Sequence, residues 1–331
     1  MSKRKKKPSR RSLKKSPSPS TSVQTRQGLV LSVLGGKGYL VEVAQETWKC
    51  RVRGRLFVNN KRSHPIVGDI VEVVVTEEEP QTGVIQSIAT RTSTLKRRFP
   101  EQDREQLLVS NIDQVMIFLA IKNPPFRPSL VDRYLVTCEA NELRPVLVLN
   151  KTDLATHEEV EAARAPFEKI GVQTLAVSAK RGWNLETLRS MMEGRQTVIT
   201  GPSGAGKSSI LNAMQPELGL RVGEVNELTG KGRHTTTVTR LFPVAGGHVM
   251  DTPGIREFGL WGIQSADVAK YFVELREYEG ACHFRNCTHT AEPKCAVKQD
   301  VKDGVIDERR YQSYVELRNE LIEQETLRQG Y

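Results

Sequence analysis

Apolar residues alternate with polar ones through much of the first ninety residues. Period-two alternation places every second side chain on one face of a pleated strand. It predicts strands over Leu29–Leu34, Gly38–Val43, Trp48–Leu56, Asp69–Val75 and Thr82–Ile88. Gly35-Gly36, Val67-Gly68-Asp69 and Gln81-Thr82-Gly83 supply turns between them. Five short strands with glycine at the corners predict a small closed barrel over residues 28–90. Arg91–Pro100 reads as a basic linker. Over residues 101–262 the pattern changes to helix-period stretches alternating with short apolar runs, as in a sheet with crossover helices. Strands are expected at Val115–Ile121, Val146–Leu149, Gln173–Val177, Thr197–Thr200, Thr237–Pro243 and His248–Met250. Helices are expected at Ser129–Asn141, His157–Ile170 and Leu185–Met192, with another starting at Lys207. Residues 263–331 read as a small helical body, and the paired acids and bases of Val305–Arg328 predict a solvated helix.

Charge changes the picture only at the N-terminus. The net charge is +10, from 49 basic and 39 acidic residues. Residues 1–27 hold ten Lys or Arg (3–7, 10, 11, 14, 15 and 26) and no acid, so the remainder is formally neutral. This Ser/Pro-rich tail has too little apolar surface to fold alone. Its cations suit nucleic-acid phosphates through counterion release, or a purely solubilising or transit role. The barrel reads as the OB type, whose faces bind single strands through aromatic and basic side chains. Tyr39, Trp48 and Phe57 either line such a face or fill the barrel, while Lys49, Arg51, Arg53 and Arg55 fall on one side of a single strand. No stretch approaches the ~20 apolar residues that span a bilayer, so no membrane partner is expected, and the chain reads as cytoplasmic and monomeric.

The chemistry lies in four motifs whose order is unusual. Asn150-Lys151-Thr152-Asp153 reads as a guanine-specifying loop and Ser178-Ala179-Lys180 as its companion against the base. Only later comes Gly201-Pro202-Ser203-Gly204-Ala205-Gly206-Lys207-Ser208-Ser209, a phosphate loop, followed by Asp251-Thr252-Pro253-Gly254. The base-reading half precedes the phosphate-reading half, which predicts a circularly permuted α/β P-loop GTPase domain. Asp153 can accept from both N1–H and N2–H₂ of guanine, a pair that adenine lacks. Asn150 is expected at the other edge of the base, with Lys151 along it and the backbone at Ala179 donating to O6. Glycines let backbone N–H groups face the β-phosphate, Lys207 reaches the β- and γ-phosphates, and Ser208 holds Mg²⁺. Asp251 would meet Mg²⁺ through water, and the Gly254 N–H would face the γ-phosphate.

Residues 223–240 are rich in Gly and Thr and are expected to form the first switch loop. One of Thr235, Thr236 and Thr237 completes the Mg²⁺ shell, with Thr236 preferred. Ile255 follows Gly254, where a water-orienting Gln is usual, so intrinsic hydrolysis is expected to be slow. His234 is the candidate to supply the missing group; otherwise it is a loop residue or a partner contact.

Five cysteines occur, three of them in Cys282-x4-Cys287-x-His289-x5-Cys295. Three thiolates and an imidazole within fourteen residues suit a closed tetrahedral Zn²⁺ site of structural type. His283 is an alternative fourth ligand, disfavoured by its adjacency to Cys282.

Taken together, the barrel, N-K-T-D, S-A-K, G-P-S-G-A-G-K-S-S, G-R-H-T-T-T, D-T-P-G and the Cys/Cys/His/Cys cluster, in this order, resemble the RsgA (YjeQ) family of small ribosomal subunit biogenesis GTPases. The resemblance runs from about Gly28 to the metal cluster. It implies an OB-type barrel, a permuted GTPase domain and a small α-helical zinc-binding domain. It also implies one structural Zn²⁺, Mg²⁺ with GTP, binding to the maturing small subunit through rRNA, hydrolysis stimulated by that subunit, and release with GDP. A module using GTP only as a structural ligand and a GTPase with a tRNA partner are the competing readings.

Overall fold

The computed structural model describes residues 24–34, 38–59, 61–99, 104–218, 240–251, 260 and 262–329. Its first body is a closed five-stranded barrel made by β1 (Thr25–Leu34), β2 (Gly38–Val43), β3 (Glu46–Val52), and, after the hairpin β4 (Leu56–Val58) and β5 (Lys61–Ser63), β6 (Ile70–Glu77) and β7 (Thr82–Ile88). The order β1-β2-β3-β7-β6 closes through β6 back onto β1, and β3 runs parallel to β7. β1 can serve two neighbours because it is ten residues long: Thr25–Leu29 face β6 and Leu29–Leu34 face β2. Gly28 sits at that changeover, where a Cβ would lie 2.5 Å from Val41. Tyr39 and Trp48 fill the barrel with Val30, Val41, Val73 and Ile85, while Phe57 is 55% exposed. Two of the three candidate aromatics are therefore core. The expected strand Trp48–Leu56 is broken: Gly54, at φ +89°, separates β3 from β4. Lys49 and Arg51 thus share a strand face, whereas Arg53 and Arg55, also exposed, lie beyond its end.

The expected linker is instead a hairpin of β8 (Thr94–Phe99) and β9 (Arg104–Ser110). Its basic residues mask an inward position: Leu95 is buried opposite Val109. Arg91 is equally unlike a linker residue. Its guanidinium donates twice to Asp69 at 2.8 Å, and Asp69, fully buried, also accepts from the Ser110 hydroxyl at 2.6 Å. This network clamps the barrel to the following domain.

That domain is a sheet in the order β12-β11-β10-β13-β15-β14. Its strands and helices are, in chain order, β10 (Gln114–Ala120), α1 (Pro128–Ala140), β11 (Pro145–Asn150), α2 (His157–Lys169), β12 (Gln173–Ala176), α3 (Leu185–Met192), β13 (Gln196–Thr200), α4 (Lys207–Met214), β14 (Arg240–Val244) and β15 (Gly247–Asp251). The first five strands of the order are parallel, and β14 is antiparallel to β15. β10 is buried at every position, since one face packs Val115, Ile117 and Leu119 and the other Met116 and Phe118. β14 also pairs with β1 at Ser32 opposite Arg240, so barrel and sheet are continuous. His248 and Glu42 meet across the same junction at 3.1 Å.

The C-terminal body contains α5 (Val273–Arg276), α6 (Ala296–Lys302) and α7 (Glu308–Gln329). α7 is not the solvated helix its charges predict. Arg310, Ser313, Tyr314, Leu317 and Leu321 are buried at helical spacing. Tyr314, Leu317 and Leu321 share a core with Val136 of α1, Phe272 and Leu275, and the Arg310 guanidinium lies over the Phe272 ring. Buried Asp132 on α1 accepts from Arg309 at 2.8 Å and Arg310 at 2.6 Å, and Arg310 also donates to Glu274. Burial pushes the Asp132 carboxyl above its ordinary range, against the pull of Arg310 and Arg309. Among the described residues no helix is long and apolar enough to cross a membrane.

Candidate nucleotide site and metal centre

Parallel strands deliver the nucleotide motifs to one sheet edge. Asn150 ends β11, Thr200 ends β13 just before the phosphate loop, and Asp251 ends β15. β13 and β15 pair with Val198 opposite Met250, which carries the Asp251 backbone alongside the start of that loop. Crevices at the carboxyl ends of such strands are where α/β sheets take ligands.

Asn150 is the brace of this edge. Its side-chain N–H donates to the Ala205 carbonyl at 2.9 Å, and its Oδ1 accepts from the Ala179 N–H at 3.2 Å. A residue expected to meet the base has both amide atoms engaged by protein, joining three motifs. Gly206 permits the contact, because a Cβ there would sit 2.2 Å from Asn150 Nδ2. Gly201 is required in the same way, with its would-be Cβ 2.0 Å from the Phe118 carbonyl. Asp153 stands in a single 3-10 turn and accepts from the Ser178 hydroxyl at 2.6 Å. The same hydroxyl accepts from the Arg181 N–H at 3.1 Å, so buried Ser178 aims the carboxylate of Asp153. Lys151, at φ +63°, donates to the Asn123 carbonyl, and Lys180 is exposed.

The phosphate loop leads into α4, whose first residue, Lys207, donates to the carbonyls of Gly201 and Pro202 at 2.7 and 2.9 Å. The ammonium is therefore held across the loop, and Ser208, buried, follows it at the helix N-terminus. Such an end presents N–H groups to anions. Ser203 and Gly204 are exposed, Ala205 is buried, and Ser209 is half-buried. Pro124, which sequence reasoning did not single out, roofs Gly204: a Cβ there would lie 3.2 Å from it. Its only local signal is the Pro124-Pro125 pair after β10. His234, Thr235, Thr236, Thr237, Gly254 and Ile255 lie outside the described residues, and Asp251 is described by its backbone alone.

The cluster of Cys282, Cys287, His289 and Cys295 is brought together with all four ligand atoms within 4.8 Å of one another. Cys282 and Cys295 Sγ are 3.8 Å apart, and His289 Nδ1 is 3.4 Å from each. A tetrahedral ion with metal–sulfur bonds of ~2.3 Å needs sulfur–sulfur edges of about 3.8 Å, so the cage fits a metal ion. Burial lowers the His289 pKa, favouring the neutral imidazole that a ligand must be. It pushes the Cys287 thiol up to about 12, and a divalent cation reverses that preference by binding thiolates. His283 is exposed and stacks edge-on with Phe284, outside this cage.

The ligand loop is held by residues with no sequence motif. Glu292 accepts from the Thr288 N–H and hydroxyl at 2.7 and 2.6 Å and from the Thr290 N–H at 2.9 Å. Burial alone would raise its carboxyl, but these bonds outweigh it and hold the pKa at about 2. From α7, the Tyr311 hydroxyl donates to the His289 carbonyl at 2.7 Å and the Tyr314 hydroxyl to that of Thr288 at 2.5 Å. Only the folded packing brings these tyrosines to the loop.

Comparison with known proteins agrees with this geometry. Residues 27–85 match the RsgA N-terminal domain model and residues 88–261 the RsgA GTPase model. A small ribosomal subunit biogenesis GTPase RsgA of Gemmatimonas aurantiaca is 40% identical over 298 residues, covering 89% of this chain and 97% of that protein. The relative of the same name from Bacillus pumilus is 37% identical over 302 residues, covering 89% and 97%. The crystal structure of YjeQ from Thermotoga maritima superposes with a TM-score of 0.70 at 32% identity, over 90% of this chain and 99% of that one. That of YloQ, a circularly permuted GTPase, gives 0.69 at 29% identity, over 93% and 99%. A permuted nucleotide site braced by Asn150, set between an OB-like barrel and a Cys/His knob, and these full-length matches lead to one conclusion: the chain belongs to the RsgA family and is a GTP-hydrolysing enzyme.

Proposed function

We propose that this GTPase acts in late maturation of the small ribosomal subunit, binding it through rRNA in the GTP form and leaving after subunit-stimulated hydrolysis. The observation that supports the reading is coverage: relatives named as small ribosomal subunit biogenesis GTPases match over 97% of their length. In this reading Asp153 selects guanine, aimed by Ser178, while Asn150 keeps the base-reading and phosphate-reading loops in register. Lys207, the Gly204–Ser209 backbone and the Gly254 N–H hold the phosphates. Ser208, Thr236 and Asp251 would hold Mg²⁺, which neutralises charge developing on the phosphates. His234 would orient the attacking water, because Ile255 cannot. Zn²⁺ is the ion proposed for the Cys/His cage, given its three thiols, one imidazole and closed form.

The exposed cations Lys49, Arg51, Arg53 and Arg55 and the residue 1–27 tail add phosphate contacts, so barrel, tail and knob bind as one multivalent unit. The proposed division is tail 1–27, barrel 28–90, GTPase body to 262 and knob from 263, in a monomeric cytoplasmic protein. Co-sedimentation with small subunits tests it. The protein should pellet with small subunits in a non-hydrolysable GTP analogue and remain largely free in GDP. Equal pelleting in both nucleotides would refute the cycle.

A further inference from the structure

A cavity of about 400 Å³ lies between the 268–276 segment and α7, with Cys282, Cys287 and His289 of the metal cage forming part of its wall. Nothing in the nucleotide chemistry uses it. Its lining has four cationic side chains, Lys270, Arg276, Arg285 and Arg318, against one acid, Glu279. Two of the four are answered locally, Lys270 by Asp267 at 2.8 Å and Arg276 by Glu139 at 2.6 Å. Among the described residues no carboxylate pairs with Arg285 or Arg318. Phe284 stands in the same wall, 41% exposed, its ring set perpendicular to His283 at 4.9 Å. The Asn286 amide offers both a donor and an acceptor at the rim.

These features select a ligand class. The cation surplus favours an anion, but the space is far larger than one phosphate needs and falls within the range of small-molecule sites. An exposed aromatic ring beside guanidinium groups is a platform for a planar base with its phosphate attached. Duplex RNA cannot use it, because its bases are stacked and paired. We propose that this cavity receives a single unpaired nucleotide of RNA, with the base on Phe284 and the phosphate on Arg285 and Arg318. The inference rests on the RNA-binding reading above and narrows it to one pocket and one strand form.

Fluorescence anisotropy of the full-length, metal-loaded protein with a labelled single-stranded RNA octamer tests the pocket. The same octamer in a blunt duplex and a polyglutamate peptide serve as comparisons. Phe284→Leu and Arg318→Gln each lie outside the metal ligands and the nucleotide site, so metal content and basal turnover report that each variant is folded. Each variant is expected to bind the single strand roughly 10-fold more weakly than the parent, a stacking-sized loss. Arg318→Gln should also flatten the salt dependence by about 0.7 in slope, one phosphate's worth, and Phe284→Leu should not. Unchanged octamer affinity in both variants, or duplex or polyglutamate binding that falls in the variants as much as octamer binding does, would overturn the pocket. Small-subunit stimulation of turnover in the parent separates the two readings. Stimulation with octamer affinity unchanged in the variants removes the pocket alone, whereas a variant-sensitive octamer without stimulation removes the ribosomal role and keeps the pocket.

Discussion

The nucleotide edge and the metal knob are held together by different means. At the nucleotide edge, protein groups satisfy one another: Asn150 ties Ala205 to Ala179, and Ser178 aims Asp153. In the knob, four side chains converge on one point, and burial drives the Cys287 and Cys295 thiols toward the neutral form that a bound cation would reverse. One site is tied together by hydrogen bonds; the other is a cage of four side chains that fits a metal ion. The difference teaches where each body is vulnerable, and four perturbations separate them.

The largest effect should come from removing the metal. Structural zinc sites carry apparent binding energies on the order of 10 kcal/mol or more, which are also folding energies. Chelation, or Cys282→Ser, should strip hydrogen-exchange protection from residues 282–302 while β10, β11 and β13 stay protected and GDP still binds. Loss of protection in both bodies would mean that the knob supports the nucleotide site.

Next is Arg310→Ala. It leaves Asp132 and Glu274 short of their shared guanidinium in a buried setting, where breaking a pair costs about 3–5 kcal/mol. Thermal unfolding should show the drop, and Arg310→Lys should recover only part of it, since one ammonium cannot repeat the fork between two carboxylates. A loss below about 1 kcal/mol would mean that the α1–α7 contact rests on apolar packing alone.

Asn150→Ala should cost less in stability but more in binding. It leaves the Ala205 carbonyl without its side-chain donor and unties the base loop from the phosphate loop, a penalty of about 1–3 kcal/mol. Calorimetry should find GDP bound roughly 10- to 100-fold more weakly, with the metal content intact. Glu292→Gln is the smallest, about 10-fold in metal affinity by chelator competition, the usual cost of losing a group that orients ligands. The carboxyl pKa is held below its ordinary value, so its support is complete above about pH 4.5 and fades as pH falls toward 2. The Gln variant should lack that dependence.

The two regions also differ in how far the sequence revealed them. The phosphate loop and the N-K-T-D loop are readable because local backbone geometry dictates their residues: Gly201 and Gly206 lie where any Cβ would clash. The metal ligands are readable from spacing, and all four converge. Their support is not, because Tyr311 and Tyr314 reach the ligand loop from 22 and 26 residues away. Dense charge concealed the buried stripe of α7, since Arg310 is both an ion-pair partner and a core residue. The basic run at 91–99 concealed a hairpin for a similar reason, with Arg91 clamping Asp69 and Leu95 pointing inward. The barrel's strand order depends on long-range pairing, above all β6 returning to β1, and no local pattern encodes that.

The most direct test of the account is GTP turnover by the purified full-length protein, with and without small ribosomal subunits, using Lys207→Ala as the blank. Slow intrinsic hydrolysis is expected, rising steeply with small subunits and unmoved by large subunits or free tRNA. Turnover indifferent to small subunits, with GTP still bound, would contradict the proposed role while leaving the guanine site as described.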